Sequence, residues 1–88
     1  MPAPKEMLHY KVKVFATLRE KLGSDAWEYR SATALTGGAL LLRFFDERPE
    51  LGVLRDSTRI AVNQRFHHSD VPLCPEDEIA FIPPVSGG

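Results

Sequence analysis

The apolar residues in one stretch of this sequence are spaced as they are on one face of a long helix. The need to bury that face limits the folds that the chain can adopt. Thr36 is a favourable N-cap, and Pro49 disfavours helical backbone just before it, so the pattern predicts a helix over residues 37–48. Its apolar residues fall on one side: Leu40, Leu41, Phe44 and Phe45. A helix with one apolar face must bury that face against another layer of structure.

The segments around this helix supply that layer, because they alternate between apolar and polar residues as half-buried strands do. The first strand begins at Leu8. A short helix is predicted after it, with Thr17 to Glu20 forming a capping box and Gly23 ending the helix. The order predicts an α+β sheet of four or five strands with the long helix across one face. The other strands are predicted over residues 25–30, 59–63 and 78–82, with a short strand or turn at 65–67.

The alternation also assigns apolar residues to the two faces of the sheet. The set predicted to face the helix is Val12, Val14, Ile60, Val62, Ile79 and Phe81. Phe15 and Ile82 then fall on the opposite face, and Phe66 follows a predicted turn at Asn63 and Gln64. We expect Phe15, Phe66 and Ile82 to form an exposed apolar patch that binds a partner protein. Arg19 is either a polar contact at the rim of this patch or an ordinary solvated helix residue.

Size and charge favour one domain that works with another protein. The 88 residues suit a single compact domain with little room for an enclosed active site. Residues 1–7 contain two prolines and no periodicity, so a disordered lead-in is expected before a domain over 8–82. Eleven Lys and Arg nearly balance twelve Asp and Glu, for a formal net charge of -1, which argues against nucleic-acid binding.

The sequence also predicts a cytoplasmic protein. The longest wholly apolar run, Ala39 to Leu42, is far shorter than the roughly 20 residues that cross a bilayer, so no membrane partner is expected. Cys74 is the one cysteine and has no partner for an internal disulfide, and the N-terminus has no apolar run typical of a signal peptide.

Side-chain chemistry is sparse. Cys74 has no neighbouring His or cationic group to activate its thiol, so a structural role is favoured over a reactive one. His67, His68, Ser69 and Asp70 contain the residue types of a catalytic triad, but consecutive residues rarely reach its geometry, and they complete no zinc site. The chain has no phosphate-binding motif ending in Gly-Lys-Ser or Gly-Lys-Thr. We therefore expect no metal and no bound cofactor, and no unaided activation of ATP.

The C-terminal residues, in contrast, have features that point to a specific function. Pro83 and Pro84 cannot donate ladder hydrogen bonds and favour an extended path, so the last strand should end at Ile82. The six residues 83–88 are predicted to project as an arm of roughly 19 Å at about 3.1 Å per residue. Val85 and Ser86 continue this arm, and Gly87 and Gly88 lack a Cβ and could pass a narrow channel. On its own, a terminal Gly-Gly is more often a frayed end, but its conjunction with Pro-Pro after a last strand is much rarer.

Four blocks of the sequence resemble one family, the small subunit of molybdopterin synthase, MoaD, among the ubiquitin-like sulfur carriers that include ThiS. They are residues 13–20, 36–49, 61–64 and, most specifically, 77–88. The resemblance implies a β-grasp fold with a mixed sheet. Two features depart from the family pattern. Gly37 and Gly38 leave the start of the long helix open toward Thr33, and Pro75-Glu76 stands where a glycine-containing turn is common.

The resemblance also implies a function centred on the Gly88 carboxylate. An E1-like adenylating enzyme would use ATP to adenylate it, and a sulfur-donor protein would convert it to a thiocarboxylate. The tail, Pro83 to Gly87, would then enter the large subunit, in a heterotetramer of two small and two large subunits. There the sulfur would pass to a pyranopterin precursor of the molybdenum cofactor. Phe15, Phe66 and Ile82 match positions of hydrophobic partner contacts in the family. On this interpretation the chain is a sulfur-donating subunit without catalytic side chains.

Three other functions remain open on the sequence. A ubiquitin-like modifier would use the same tail chemistry to join Gly88 to lysines of target proteins. A sulfur carrier for another pathway, such as thiamine synthesis or tRNA thiolation, would share the thiocarboxylate. A β-grasp binding module would carry an inert tail.

Overall fold

The computed structural model describes residues 7–84, which form five strands and three helical segments. Two of the helical segments are α-helices, and the third is a 3₁₀ helix. Among these residues no helix is both long and apolar enough to span a membrane. In chain order the elements are β1 (Leu8–Val14), α1 (Ala16–Leu22), β2 (Ala26–Ser31), α2 (Gly37–Asp46), the 3₁₀ helix (Pro49–Ser57), β3 (Arg59–Val62), β4 (Arg65–His67) and β5 (Ile79–Ile82).

The strands form one mixed sheet in the order β2-β1-β5-β3-β4. β1 and β2 pair antiparallel, and β1 pairs parallel with β5 in the centre. β3 runs antiparallel to both β5 and β4. Parallel β1 and β5 need a long crossover between them, and α2 lies within it. This arrangement confirms the predicted α+β class and β-grasp fold.

The core lies between α2 and one face of the sheet. Every residue predicted to face the helix, from Val12 to Phe81, is buried. Phe44 of α2 and Phe81 of β5 are fully buried, with ring centroids 5.6 Å apart in an edge-to-face arrangement. The Tyr10 hydroxyl accepts a hydrogen bond from the Leu35 N–H at 3.1 Å, which satisfies the one polar atom of that side chain inside the core.

The capping box predicted for the short helix is wrong. Helix α1 has Phe15 as N-cap, without a side-chain cap, instead of Thr17. Ala16 has φ 51°, so the chain turns sharply after β1, and the Phe15 carbonyl then accepts from the Leu18 N–H at 3.1 Å. Main-chain capping thus replaces the side-chain cap. The predicted end is confirmed, because Gly23 adopts the left-handed conformation at the C-cap.

Helix α2 begins as predicted but ends earlier. Thr36 is its N-cap and accepts from the Ala39 N–H at 3.2 Å. The helix stops at Asp46 instead of residue 48, because Pro49 keeps Arg48 out of helical backbone and starts the 3₁₀ helix. The 3₁₀ helix was not predicted, since its sequence is polar, contains Gly52 and has no clear apolar period.

A close approach of the chain accounts for the two glycines that open α2. The Gly37 N–H donates to the Val71 carbonyl at 2.8 Å, and the Gly38 N–H donates to the Ser69 carbonyl at 2.7 Å. A Cβ at Gly37 would lie 2.9 Å from Val71 Cγ1, and one at Gly38 would lie 2.7 Å from Ser69 Cβ. A side chain at either position would therefore force neighbouring atoms of the loop to move.

Candidate functional site

The C-terminal tail follows the central strand of the sheet in sequence. β5 lies between β1 and β3, and the chain continues from Ile82 into Pro83 and Pro84. Pro83 is buried and Pro84 is exposed, so packing against the domain extends one residue past the strand. The remaining tail residues predicted as functional, Val85, Ser86, Gly87 and Gly88, lie outside the described residues.

Beside the root of the tail, the sheet face opposite α2 has a shallow depression of about 210 Å³. Ala61 of β3 and Ala80 of β5 are cross-strand partners and form its floor. Small side chains at these two positions keep the floor low. A longer side chain at either position would fill the depression. The small size of the two alanines therefore keeps the depression open.

Larger apolar side chains surround this floor. Phe66 lies directly across from Ala61, and Phe15 and Ile82 line the same depression. Phe15 is 41% exposed and Phe66 is 51% exposed, although large apolar side chains gain most from burial. The structure thus brings together the three residues predicted to form the apolar patch, next to the strand that leads into the tail.

Polar groups at the edge of the depression are partly paired within the domain. Lys13 Nζ lies 3.2 Å from Glu78 Oε2, and both side chains are largely exposed, so this pair adds little stability. The Arg59 guanidinium lies 3.9 Å from the centroid of the Phe66 ring, a cation–π contact that holds the ring at the edge. Gln64 also lines the depression.

Arg19, predicted as a rim residue, lies beside the depression and does not line it. It projects from α1 into a neighbouring hollow of about 300 Å³ that it shares with Phe15, Lys13 and Asp25. Its main-chain N–H donates to the Phe15 carbonyl at 3.4 Å. Arg19 and Phe15 therefore line the same hollow, which adjoins the depression at Lys13 and Phe15.

A hydrogen-bonded clip fixes the chain just before β5. Asp77 Oδ2 accepts from the Cys74 N–H at 2.8 Å, and the Asp77 N–H donates to the Cys74 carbonyl at 2.9 Å. Asn63 Nδ2 donates to the other carboxylate oxygen of Asp77 at 3.1 Å. The Asp77 side chain thus closes the Pro75-Glu76 turn by hydrogen bonding. The family pattern described above has a glycine-containing turn at this place.

The other residues considered for chemistry lie apart from the depression. His67, His68, Ser69 and Asp70 line an open groove of about 900 Å³ between the start of α2 and the end of the 3₁₀ helix. Cys74 is exposed on its turn. Within residues 7–84, no three His, Cys, Asp or Glu side chains are grouped so that they could hold a metal ion. These residues therefore do not contribute to the depression beside the tail.

Sequence reasoning missed two residues of the site, Arg59 and Gln64. Arg59 opposes Ile82 across the β3–β5 pair, and its position in a predicted strand gave no sign that it would stack on Phe66. Gln64 was predicted only as part of a turn. A two-residue hairpin loop does fix which strand positions follow it, and that register is the signal that could have placed Gln64 beside Phe66.

Known proteins match this chain along nearly its whole length. The model of the ThiS family matches residues 12–88. The molybdopterin synthase sulfur carrier subunit of Escherichia coli is 38% identical over 80 residues, covering 89% of this chain and 98% of that protein. The protein of the same name from Aedes aegypti is 34% identical over 90 residues, covering 94% of this chain and 92% of that protein.

A solved structure shares both fold and sequence with the chain. The small archaeal modifier protein 1 from Methanosarcina acetivorans has a TM-score of 0.72 and 29% identity, covering 94% of this chain and 99% of that one. The match extends across the sheet and helix described above. The similarity thus reaches both proteins named as sulfur carriers and a protein named as a modifier.

Proposed function

This chain belongs to the ThiS family, and from that premise we propose that it is the sulfur-carrying small subunit of a molybdopterin synthase. Its working group is the C-terminal carboxylate of Gly88. The observation that carries the proposal is the continuity of tail and docking surface. Ile82 lines the apolar depression, and the next residue along the chain starts the tail.

The chemistry at Gly88 requires activation by another protein. A carboxylate is a poor electrophile, so its oxygen first attacks the α-phosphorus of ATP and releases pyrophosphate, which leaves an acyl adenylate. A hydrosulfide equivalent from a sulfur-donor protein then forms a bond to the carbonyl carbon and displaces AMP. The product is a Gly88 thiocarboxylate. An E1-like enzyme that binds ATP supplies the first step, and we propose that these reactions take place in the cytoplasm.

The apolar depression provides the docking surface for these partners. Phe15, Phe66 and Ile82 expose apolar area that a partner can remove from water, at roughly 25 cal/mol per Å². Docking there orients the chain beyond Pro84 into the active site of the large subunit, where the thiocarboxylate sulfur is transferred to the pyranopterin precursor. Two small and two large subunits form the assembly. The large subunit contributes the catalytic side chains.

Intact-mass spectrometry tests this function directly. The full chain is incubated with an E1-like adenylating enzyme, ATP and a sulfur donor, and then with the large subunit and the pterin precursor. We expect the mass change of one oxygen replaced by sulfur, located at Gly88, and its reversal when the large subunit and precursor are added. Unchanged mass in the presence of an active adenylating enzyme would contradict the proposal.

A second function is favoured by one specific observation, the similarity to a small archaeal modifier protein. A modifier would pass the activated Gly88 carbonyl to a lysine amine of a target protein, forming an amide and releasing AMP. The same incubation, with cell extract added, distinguishes the two roles. Lysine conjugates of the chain would support the modifier, whereas the sulfur-for-oxygen exchange without conjugates supports the carrier.

A further inference from the structure

The hairpin between β3 and β4 contains two residues with left-handed backbone. Asn63 has φ 52° and Gln64 has φ 70°, as expected for the central residues of a two-residue turn that matches the twist of its strands. Asparagine tolerates this conformation, whereas glycine is the favoured residue at the second position. Glutamine at position 64 therefore holds a backbone conformation that a glycine would adopt with less strain.

Asn63 has a structural reason to occupy its position. Its Oδ1 accepts from the Glu78 N–H at 3.0 Å, and its Nδ2 donates to Asp77 Oδ1 at 3.1 Å. Its own main-chain N–H donates to the Glu78 carbonyl at 2.8 Å. These three hydrogen bonds tie the hairpin to the start of β5, so the domain itself uses the Asn63 side chain.

Gln64 differs from its neighbour in this respect. Its side chain lines the depression together with Phe66 and Ile82, and it makes no hydrogen bond to another group within residues 7–84. The strain at Gln64 is therefore not offset by a side-chain hydrogen bond within this part of the domain. Backbone strain is characteristic of residues whose side chain is needed for function.

The geometry points to Gln64 as a recognition residue of the depression, whose side-chain amide hydrogen-bonds a main-chain peptide group of the docking protein. The inference rests on the proposed function, because it takes the large subunit of molybdopterin synthase as that protein. It adds a polar, orienting contact to a surface that is otherwise mainly apolar.

The residues that line the depression favour a main-chain peptide group of the partner as the group that pairs with the Gln64 amide. A partner that covers the depression removes water from Gln64, and an amide left without hydrogen bonds there would weaken binding. Lys13 and Glu78, the charged residues of the lining, already pair with each other. A neutral amide has both donors and an acceptor, and a main-chain peptide group offers the matching acceptor and donor.

Two substitutions at this position test the inference, with Kd for the isolated large subunit measured by calorimetry and Tm measured on the free chain. Gln64→Gly removes the amide and relieves the backbone, so we expect Tm to rise by about 4 °C while Kd rises about fivefold. Gln64→Glu keeps the size and the left-handed backbone but replaces the N–H donors with a charged acceptor. Its Kd should also rise at least about fivefold.

Ala16 provides the matched control. It also has left-handed backbone, with φ 51°, but it does not line the depression. Ala16→Gly should raise Tm and leave Kd unchanged, which separates relief of strain from loss of recognition.

Three results would count against the inference. Wild-type affinity in Gln64→Gly would overturn it. Wild-type affinity in Gln64→Glu, with weakened binding in Gln64→Gly, would show that packing of the side chain matters and its hydrogen bonds do not. If the wild-type chain itself failed to bind the large subunit, the proposed function would be contradicted, and this inference with it.

Discussion

The two faces of the sheet carry aromatic residues for opposite purposes. On the face covered by α2, Phe81 is fully buried against Phe44. On the other face, Phe15 and Phe66 surround a floor of alanines and remain 41% and 51% exposed. The covered face stabilises the fold, whereas the open face leaves apolar area exposed, and we propose that a partner binds there. Burial, and not residue type, therefore separates the aromatic residues that stabilise this domain from those proposed to bind a partner.

The largest expected effect is on the covered face. Phe81→Ala removes a fully buried ring that contacts Phe44 and Trp27, and should lower the free energy of unfolding by about 3 to 5 kcal/mol. Such a loss is a large fraction of the roughly 5 to 15 kcal/mol by which small domains are stable, so Tm should also fall by many degrees. Chemical denaturation measures the change. A loss below about 1 kcal/mol would erase the contrast between the faces.

The corresponding change on the open face should affect binding instead. Phe66→Asp places a carboxylate in the depression and should weaken binding of the large subunit by about 2 kcal/mol, roughly thirtyfold in Kd. Its free energy of unfolding should change by less than about 1 kcal/mol, because the ring is half exposed. Calorimetric titration gives Kd, and Phe15→Asp provides a second position. Retained affinity in both variants would remove the depression as the docking surface.

A smaller effect is expected where the loop meets α2. Gly38→Ala places a Cβ 2.7 Å from Ser69 Cβ and 3.0 Å from the Ser69 carbonyl, so the loop must move, and stability should fall by about 1 to 3 kcal/mol. Gly52→Ala is a suitable control, because nothing lies within 4 Å of a Cβ built there. Thermal denaturation of both variants checks the difference. Equal stability would mean that the loop does not depend on the glycine.

The smallest effect concerns the ion pair at the edge of the depression. Lys13 and Glu78 are 60% and 44% exposed, so their interaction should contribute less than about 1 kcal/mol and weaken with salt. A double-mutant cycle with Lys13→Ala and Glu78→Ala measures the coupling energy. A coupling energy above about 2 kcal/mol would show that the open face also stabilises the fold. That result would contradict the proposed difference between the two faces.

The sequence predicted most of the fold because each strand keeps one face in the core. Alternation alone placed Val12 and Phe81 toward the helix and Phe15 and Ile82 away from it. Register explains why this works, since a shift of one residue would reverse every side chain.

Features that depend on contacts between distant segments could not be predicted. The loop at Ser69 and Val71 explains Gly37 and Gly38, yet the sequence shows these glycines only as a weakness in a helix. The cap of α1 comes from the Phe15 carbonyl and the sharp turn at Ala16, so the Thr17 motif was misleading. The sequence predicts a turn at Asn63 and Gln64, but the left-handed backbone of Gln64 depends on the turn type that the pairing of β3 and β4 imposes.

We propose that Gly88 reacts only in the active sites of partner proteins and contributes nothing to the stability of the domain. Deletion of Gly88 tests both parts of this proposal, with Tm and thiocarboxylate formation measured on the same preparation. We expect Tm within about 1 °C of the full chain, since a loss of even 1 kcal/mol would shift it by several degrees, together with complete loss of sulfur transfer. Retained sulfur transfer, or a large drop in Tm, would contradict the account.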